Sequence, residues 1–423
     1  MKFNQWTLGL AAVGLVSLGT AAQAEEAQNP ILTALSSTTI SGYVNTSAIL
    51  RFGPSLPNGD YSTPGRTFDA NNKFNGFNLD VVKLQIEKPL DESQWSAGYQ
   101  VGLIFGPDAN TYGTDSLGGD SDFGIKDAAV TLRAPVGNGL DFRIGYWESP
   151  IGYEVFDAGN NPNYSRSYAY AIEPKQFTGV LASYRVSEIL SLSGGIANRG
   201  WEVGGTWDHP VRYYADNAIN KRSGGKTILT YLGSVALTAP ESAGFLEGAT
   251  LYGGIIDSGM AHGPDVLNLY VGGTMPTPVK GLLLGLSYDY RGSSGDSGYD
   301  SSYANAFGAY LSYQLTEKLK FNARGEYVRG SNGTWYSSGD WDLDNTDDNG
   351  NPDPLLVMDS EKNELIGVTA TLEYSLWANV LTRLEFRWDH DCNGNGIFND
   401  YIPGVSKGTD DAFQLALNVI YKF

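Results

Sequence analysis

Apolar and polar side chains alternate through the last eleven residues of the chain. Phe413, Leu415, Leu417, Val419, Tyr421 and Phe423 share one face of an extended segment, and Gln414, Ala416, Asn418, Ile420 and Lys422 share the other. A period of two is what a strand shows when its two faces meet different surroundings. Upstream, Val380, Thr382, Leu384, Phe386 and Trp388 alternate with Leu381, Arg383, Glu385, Arg387 and Asp389. Leu319, Phe321, Ala323 and Tyr327 alternate with Lys320, Asn322, Arg324 and Glu326, and Val82, Leu84 and Ile86 with Lys83, Gln85 and Glu87. A basic side chain aimed at hydrocarbon near a bilayer midplane costs ~2–4 kcal/mol, so the charged parity belongs to an aqueous interior and the apolar parity to lipid.

Alternation and turn signals together predict sixteen strands, at 38–50, 76–88, 94–105, 123–134, 139–148, 176–187, 189–199, 226–238, 247–257, 265–275, 281–291, 303–315, 317–329, 364–376, 379–390 and 411–423. The connections alternate long and short. Short ones include Lys88-Pro89-Leu90-Asp91-Glu92, Val186-Ser187-Glu188, Ala239-Pro240-Glu241 and Leu315-Thr316-Glu317. This polarity predicts an all-β fold, a transmembrane antiparallel β-barrel of about sixteen strands, with periplasmic turns and extracellular loops. Closing the cylinder leaves no backbone group unpaired in lipid, and an even count puts both termini in the periplasm.

The N-terminus adds an address. Met1-Lys2, a mostly apolar run from Trp6 to Ala22, and Ala22-Gln23-Ala24 before Glu25-Glu26 form a cleaved secretory signal over 1–24. A short periplasmic segment, 25–37, then leads into the barrel, 38–423. Beyond the leader no stretch reaches the ~18–20 apolar residues of a spanning helix. Among the 423 residues, 28 are Lys or Arg and 47 Asp or Glu, a formal net charge of -19, which excludes nucleic acid as a partner. The acidity concentrates in loops, notably DWDLDNTDDNGNPD at 340–353. With one cysteine there is no disulfide framework, and Cys392 reads as a small surface-loop residue.

Sixteen strands enclose a lumen wide enough for water and small solutes. Its charges are expected from Lys83, Glu87, Asp127, Arg133, Asp141, Arg143, Arg185, Asp289, Lys320, Arg324, Glu326, Glu373, Arg383, Glu385 and Arg387. The loop at 149–175, SPIGYEVFDAGNNPNYSRSYAYAIEPK, is unusually aromatic. Leaving it in water is costly, so it is expected to fold inward and constrict the channel, with an outward cap or a subunit contact as the competing placement. Glu154, Asp157 and Glu173 would then form the acidic side of the pore constriction, and Arg133, Arg143, Arg185, Arg324, Arg383 and Arg387 the basic side. Opposed charges in confined water orient polar solutes and filter ions.

The run from Phe142 to Glu202, FRIGYWESPIGYEVFDAGNNPNYSRSYAYAIEPKQFTGVLASYRVSEILSLSGGIANRGWE, resembles the OmpL-like β-barrel porin family. Ile40-Ser41-Gly42-Tyr43-Val44, the stretch from Phe77 to Pro89 and Arg383-Leu384-Glu385-Phe386-Arg387-Trp388-Asp389-His390 are similar too. The resemblance implies a bacterial outer-membrane channel passively conducting small hydrophilic solutes and ions. It implies no substrate and no residue roles.

Asp389 to Asp400 fits D-x-D-x-N-G-x5-D, and Asp389, Asp391, Asn393, Asn395 and Asp400 are candidate calcium ligands in an extracellular loop, the one cofactor expected. His209, His262 and His390 show neither triad logic nor ligand spacing, so no enzyme is expected. The expected partners are outer-membrane lipid, lipopolysaccharide and small hydrophilic solutes, with a homotrimer by analogy with porins. The rival function is a surface receptor or adhesin acting through its long loops on a barrel anchor. Bilayer conductance separates the two.

Overall fold

A computed structural model describes residues 37–70, 73–112, 122–198, 201–202, 229–259, 265–295, 301–336, 362–402 and 407–423. The proposed leader, most of the segment at 25–37, the acidic run at 340–353, His209 and His262 lie outside the described residues. In chain order the strands are β1 (Thr39–Phe52), β2 (Gly76–Lys88), β3 (Ser96–Phe105), β4 (Phe123–Ala134), β5 (Leu140–Glu148), β6 (Pro174–Arg185), β7 (Leu190–Ala197), β8 (Trp201–Glu202) and β9 (Thr230–Thr238). They continue as β10 (Thr250–Ser258), β11 (Val266–Pro276), β12 (Leu282–Ser293), β13 (Ser302–Gln314), β14 (Leu319–Gly330), β15 (Asn363–Trp377), β16 (Val380–Asp391) and β17 (Asp411–Lys422).

All pairings are antiparallel, and β17 closes the ring on β1, from Tyr43 opposite Lys422 to Phe52 opposite Phe413. The two-residue β8 pairs with β6 beyond the end of β7, so the two form one interrupted stave. The wall therefore has sixteen staves. Each hairpin turn needs its own backbone geometry; between β15 and β16, Asn379 supplies a left-handed residue at φ 67°.

The alternation seen in the sequence is the alternation of the wall. On β17, Leu417 is 47% exposed and its neighbour Asn418 is 0%. On β16, Phe386 and Leu384 face out while Arg383, Glu385 and Arg387 are buried inside. Apolar side chains from Phe77 and Leu79 through Val271 and Leu286 to Phe413 stand exposed around the outer wall, a surface suited to lipid. Leu417→Arg is accordingly expected to cost ~2–4 kcal/mol in unfolding from lipid vesicles, whereas an unchanged denaturation midpoint would remove Leu417 from the hydrocarbon face.

Two of the β-bulges in the wall add a charged residue and break the parity. Asn45 pairs with Val81 and Thr46 with Leu79, leaving Asp80 as an extra residue on β2. Gly102 pairs with Asp127 and Leu103 with Ile125, leaving Lys126 extra on β4. An added residue re-aims a side chain. Both Asp80 and Lys126 end up buried inside the barrel.

Candidate functional site

The segment 149–175 runs inside the barrel, most of it buried. The wall is shaped to receive it: a Cβ at Gly254 on β10 would collide with Ile151, and one at Gly285 on β12 with the Tyr153 hydroxyl. Beyond these contacts Tyr153 stacks on Tyr310, centroids 3.9 Å apart. The chain then makes a 3-10 turn, Ala158–Asn160, and a short helix α1, Tyr168–Ile172, whose cap Ser167 accepts the Tyr170 N–H at 3.2 Å. Around α1, Tyr168, Ala169 and Ile172 pack against Ala304, Ala306, Val328 and Leu365 of the wall. Small wall residues leave room for large loop side chains.

Three arginines hold the segment by its backbone. Arg324 Nη1 donates to Ser165 O at 2.8 Å and to Glu154 Oε1 at 2.8 Å, and its Nε donates to Glu326 at 2.6 Å. Arg383 donates to Ala158 O at 2.8 Å and Asn161 O at 2.7 Å, and pairs with Glu373. Arg387 donates to Arg166 O at 2.6 Å and pairs with Asp389. Carboxylates complete the grip, since Glu385 accepts the N–H groups of Tyr164 and Ser165 and Glu326 that of Tyr168. A non-helical stretch buried in a barrel must have its backbone groups satisfied, and these side chains supply the partners.

A second segment joins it. Residues 63–70 and Lys73, from the connection after β1, also turn inward: Arg66 reaches Asp389 at 3.2 Å, Arg51 donates to Asp69 O at 2.7 Å, and Lys73 meets Asp108 in the helix α2, Pro107–Tyr112. Phe68 packs edge-on to Phe156, so the second segment backs the first. Burial pushes the Asp69 carboxyl up, but Arg66, Arg387 and Arg51 outweigh it and hold the group below the usual carboxylate range. Neither alternation nor aromatic density marks this insertion in the chain.

The acidic residues singled out in the sequence are all on the inserted loop, each with its own partner. Glu154 binds Arg324. Asp157 accepts from Lys83 at 2.9 Å and from the Tyr43 hydroxyl at 3.1 Å, with Lys126 at 3.7 Å. Burial pushes Asp157 up, yet Lys126 and Lys83 together hold it well below its ordinary value, so it stays ionised. Glu173 binds Lys175 at 2.9 Å, and burial raises its carboxyl despite that lysine.

The basic residues divide into three groups. Arg324, Arg383 and Arg387 are 1%, 1% and 0% exposed, so they clamp the loop and do not face open water. Arg133 and Arg185 do not oppose the loop: Arg133 forms a bidentate pair with Asp141 at 2.7 Å near the short turn, and Arg185 is exposed at the last position of β6, donating to Ser187 O. Parity gives the face of a residue but not its depth, which is why the sequence grouped them with the constriction. Arg143 is the exception. It lies half-buried on the lumen face, among the described residues it makes no hydrogen bond or ion pair, and Asp127 and Glu148 are the opposite charges acting on it. Lys126, which the sequence reading passed over, sits between Glu148 at 2.6 Å and Asp127 at 3.6 Å.

Exposure maps the remaining space. Lumen-facing residues of β14 to β17 (Asn322, Thr369, Thr371, Glu385, Asn418) are fully covered, whereas those of β4 to β11 toward the short turns (Thr131, Arg143, Ser183, Ser234, Tyr252, Thr274) remain half-exposed. The inserted segments thus cover the β14–β17 wall at these positions and also reach β10 through Ile151, leaving the β4–β11 side open toward the short turns.

Of the calcium candidates, Asp389, Asp391 and Asn393 already have protein partners. Asp389 is spent on Arg387, Arg66 and the Tyr168 hydroxyl, which donates at 2.8 Å. Asp391 accepts the N–H groups of Asn393 and Asn395 and the Tyr336 hydroxyl, Asn393 accepts the Glu364 N–H, and Asp400 is half-buried further along the loop. Among the described residues no three acidic, histidine or cysteine side chains gather as a metal would require.

A closed sixteen-stave barrel with an apolar outer belt and a loop folded into its lumen defines an outer-membrane porin. Residues 37–423 match the family described as "Putative beta-barrel porin-2, OmpL-like", and the chain belongs to it. It is a passive channel of the bacterial outer membrane, which it crosses many times. Among solved structures it is similar to the anion-selective porin from Comamonas acidovorans (11% identity, covering 92% of this chain and 99% of that one, TM-score 0.55). It is similar also to Pseudomonas putida OprB (10%, 93% and 96%, 0.55) and to the trimer form of Vibrio cholerae OmpT (13%, 91% and 99%, 0.52). At such identities the likeness is one of fold. No curated protein matches the chain.

Proposed function

We propose that small hydrophilic solutes and ions cross this porin between the inserted loop and the β4–β11 wall, passing Arg143. The observation carrying this reading is the asymmetry of exposure, covered on β14 to β17 and half-open on β4 to β11 toward the short turns. Arg143 is the charge with most influence on ions there, because among the described residues it makes no hydrogen bond or ion pair and Asp127 and Glu148 act on it only from a distance, whereas Arg324, Arg383 and Arg387 have their charge neutralised at contact distance. The molecule works as a homotrimer embedded in lipid and lipopolysaccharide and carries out no catalysis.

Reversal potentials in planar bilayers under a salt gradient test the assignment. Arg143→Glu is expected to move selectivity toward cations by about fivefold or more in permeability ratio, and Arg185→Ala to move it little. Equal shifts for the two variants would displace the passage from Arg143. A protein that holds no open channel at all would favour the anchored receptor.

A further inference from the structure

Four neighbouring strands of the wall, β7, β9, β10 and β11, carry no charged side chain on their lumen face. Hydroxyls stand there in register. Ser183 of β6 lies opposite Ser193, which lies opposite Ser234, so three serines run side by side across three strands. The Ser183 and Ser193 hydroxyls are 2.9 Å apart and those of Thr250 and Thr274 2.8 Å; Ser183, Thr250 and Thr274 are half-buried and border the lumen, while Ser193 and the Ser234 hydroxyl are covered. In the adjacent row the half-buried Tyr252 sits between Ala236 and Gly272, one side of its ring packed on the cluster around Ile151 and Tyr270. The opposite wall differs in kind, with Lys320, Arg324, Arg383 and Arg387 and their carboxylate partners.

These two walls treat solutes differently. A neutral polyol leaving bulk water exchanges its hydrogen bonds for bonds to wall hydroxyls at little net cost, and the C–H face of a sugar ring can lie on a tyrosine. An ion against the same wall loses hydration and meets no counter-charge. We infer that the hydroxyl face of β6 to β11 is a track for neutral polyhydroxylated solutes, sugars and polyols, in preference to charged solutes of the same size. The inference rests on the passage proposed above and names what that passage favours.

The test uses the full chain in liposomes, with swelling rates for a hexose, its uronic acid and its amino sugar, beside potassium chloride conductance in planar bilayers. The hexose is expected to enter at least about threefold faster than either charged analogue. Ser183→Val combined with Thr274→Val is expected to lower the ratio of hexose to potassium chloride permeability by about threefold, since each valine removes a hydrogen-bonding site. If that variant does not fold, Thr250→Val is read in the same way. Equal entry of the charged analogues, or a ratio unmoved by valine, overturns the track while the channel stands. Absence of both salt conductance and hexose entry in the unaltered protein overturns the channel reading and the track with it.

Discussion

Replacing Arg324 by alanine is expected to destabilise the protein by about 3–5 kcal/mol, the range for removing one member of a buried charge group. The guanidinium is fully enclosed and bonded to Glu154, Glu326, Ser165 O, the Ser165 hydroxyl, Arg166 O and the Thr369 hydroxyl. Its loss strands two carboxylates in a space that water enters only if the loop lifts. Lifting is costly as well, because Glu326 also holds the Tyr168 N–H and the Tyr153 ring is stacked on Tyr310. Denaturant unfolding from lipid vesicles reads the effect, with Arg185→Ala as a surface comparison expected to change stability by less than about 0.5 kcal/mol. Restoring neutrality with Glu154→Gln and Glu326→Gln beside Arg324→Met should recover a good part of the loss, since the penalty belongs to uncompensated charge more than to missing attraction. If Arg324→Ala unfolds where the parent does, the clamp is not an energetic feature of the fold.

The clamps also show what the sequence discloses and what it hides. In β14, β16 and β17 the parity of lipid and lumen is readable because each charged residue is flanked by apolar ones, as with Leu384, Glu385, Phe386 and Arg387. In β2 and β4 a bulge inserts one residue, and alternation cannot register an insertion. The only trace is two adjacent charges, Lys126 and Asp127, that should not share a face and nevertheless do. Aromatic density marked 149–175 for insertion because burial is the only inexpensive fate for so much apolar surface. Residues 63–70 and Lys73 carry no such mark: Arg66, Phe68, Asp69 and Lys73 find their partners in Asp389, Phe156, Gln414 and Asp108, all distant in the chain.

The calcium-like spacing also serves a second purpose. Aspartate at spaced positions followed by glycine serves a metal loop, but the same spacing serves a turn in which the carboxylate takes backbone N–H groups. Asp391 and Asp410 do this for Asn393, Asn395 and Gly396, while Gly394 and Gly396 adopt φ of 70° and 63°.

Excising the inserted loop is the change expected to alter conduction most. The ring of strands closes through β1 and β17 and draws none of its ladder from residues 153–171, so replacing those residues with a short Gly-Ser linker leaves every wall pairing intact. Arg324, Arg383 and Arg387 would lose their carbonyl partners but keep Glu326, Glu373 and Asp389 in a lumen now open to water, where solvation compensates the lost bonds. The variant should therefore fold less stably yet still close. Single-channel conductance should rise about threefold or more, because the loop spans from Gly254 and Gly285 on one side to Lys83 and Arg383 on the other, and its removal returns that cross-section to water. Discrimination between the hexose and its charged analogues should fall at the same time, since solutes would no longer be pressed against the hydroxyl face. A variant that conducts like the parent would mean that the narrowest point lies outside 153–171, and the route along β4 to β11 would lose its support.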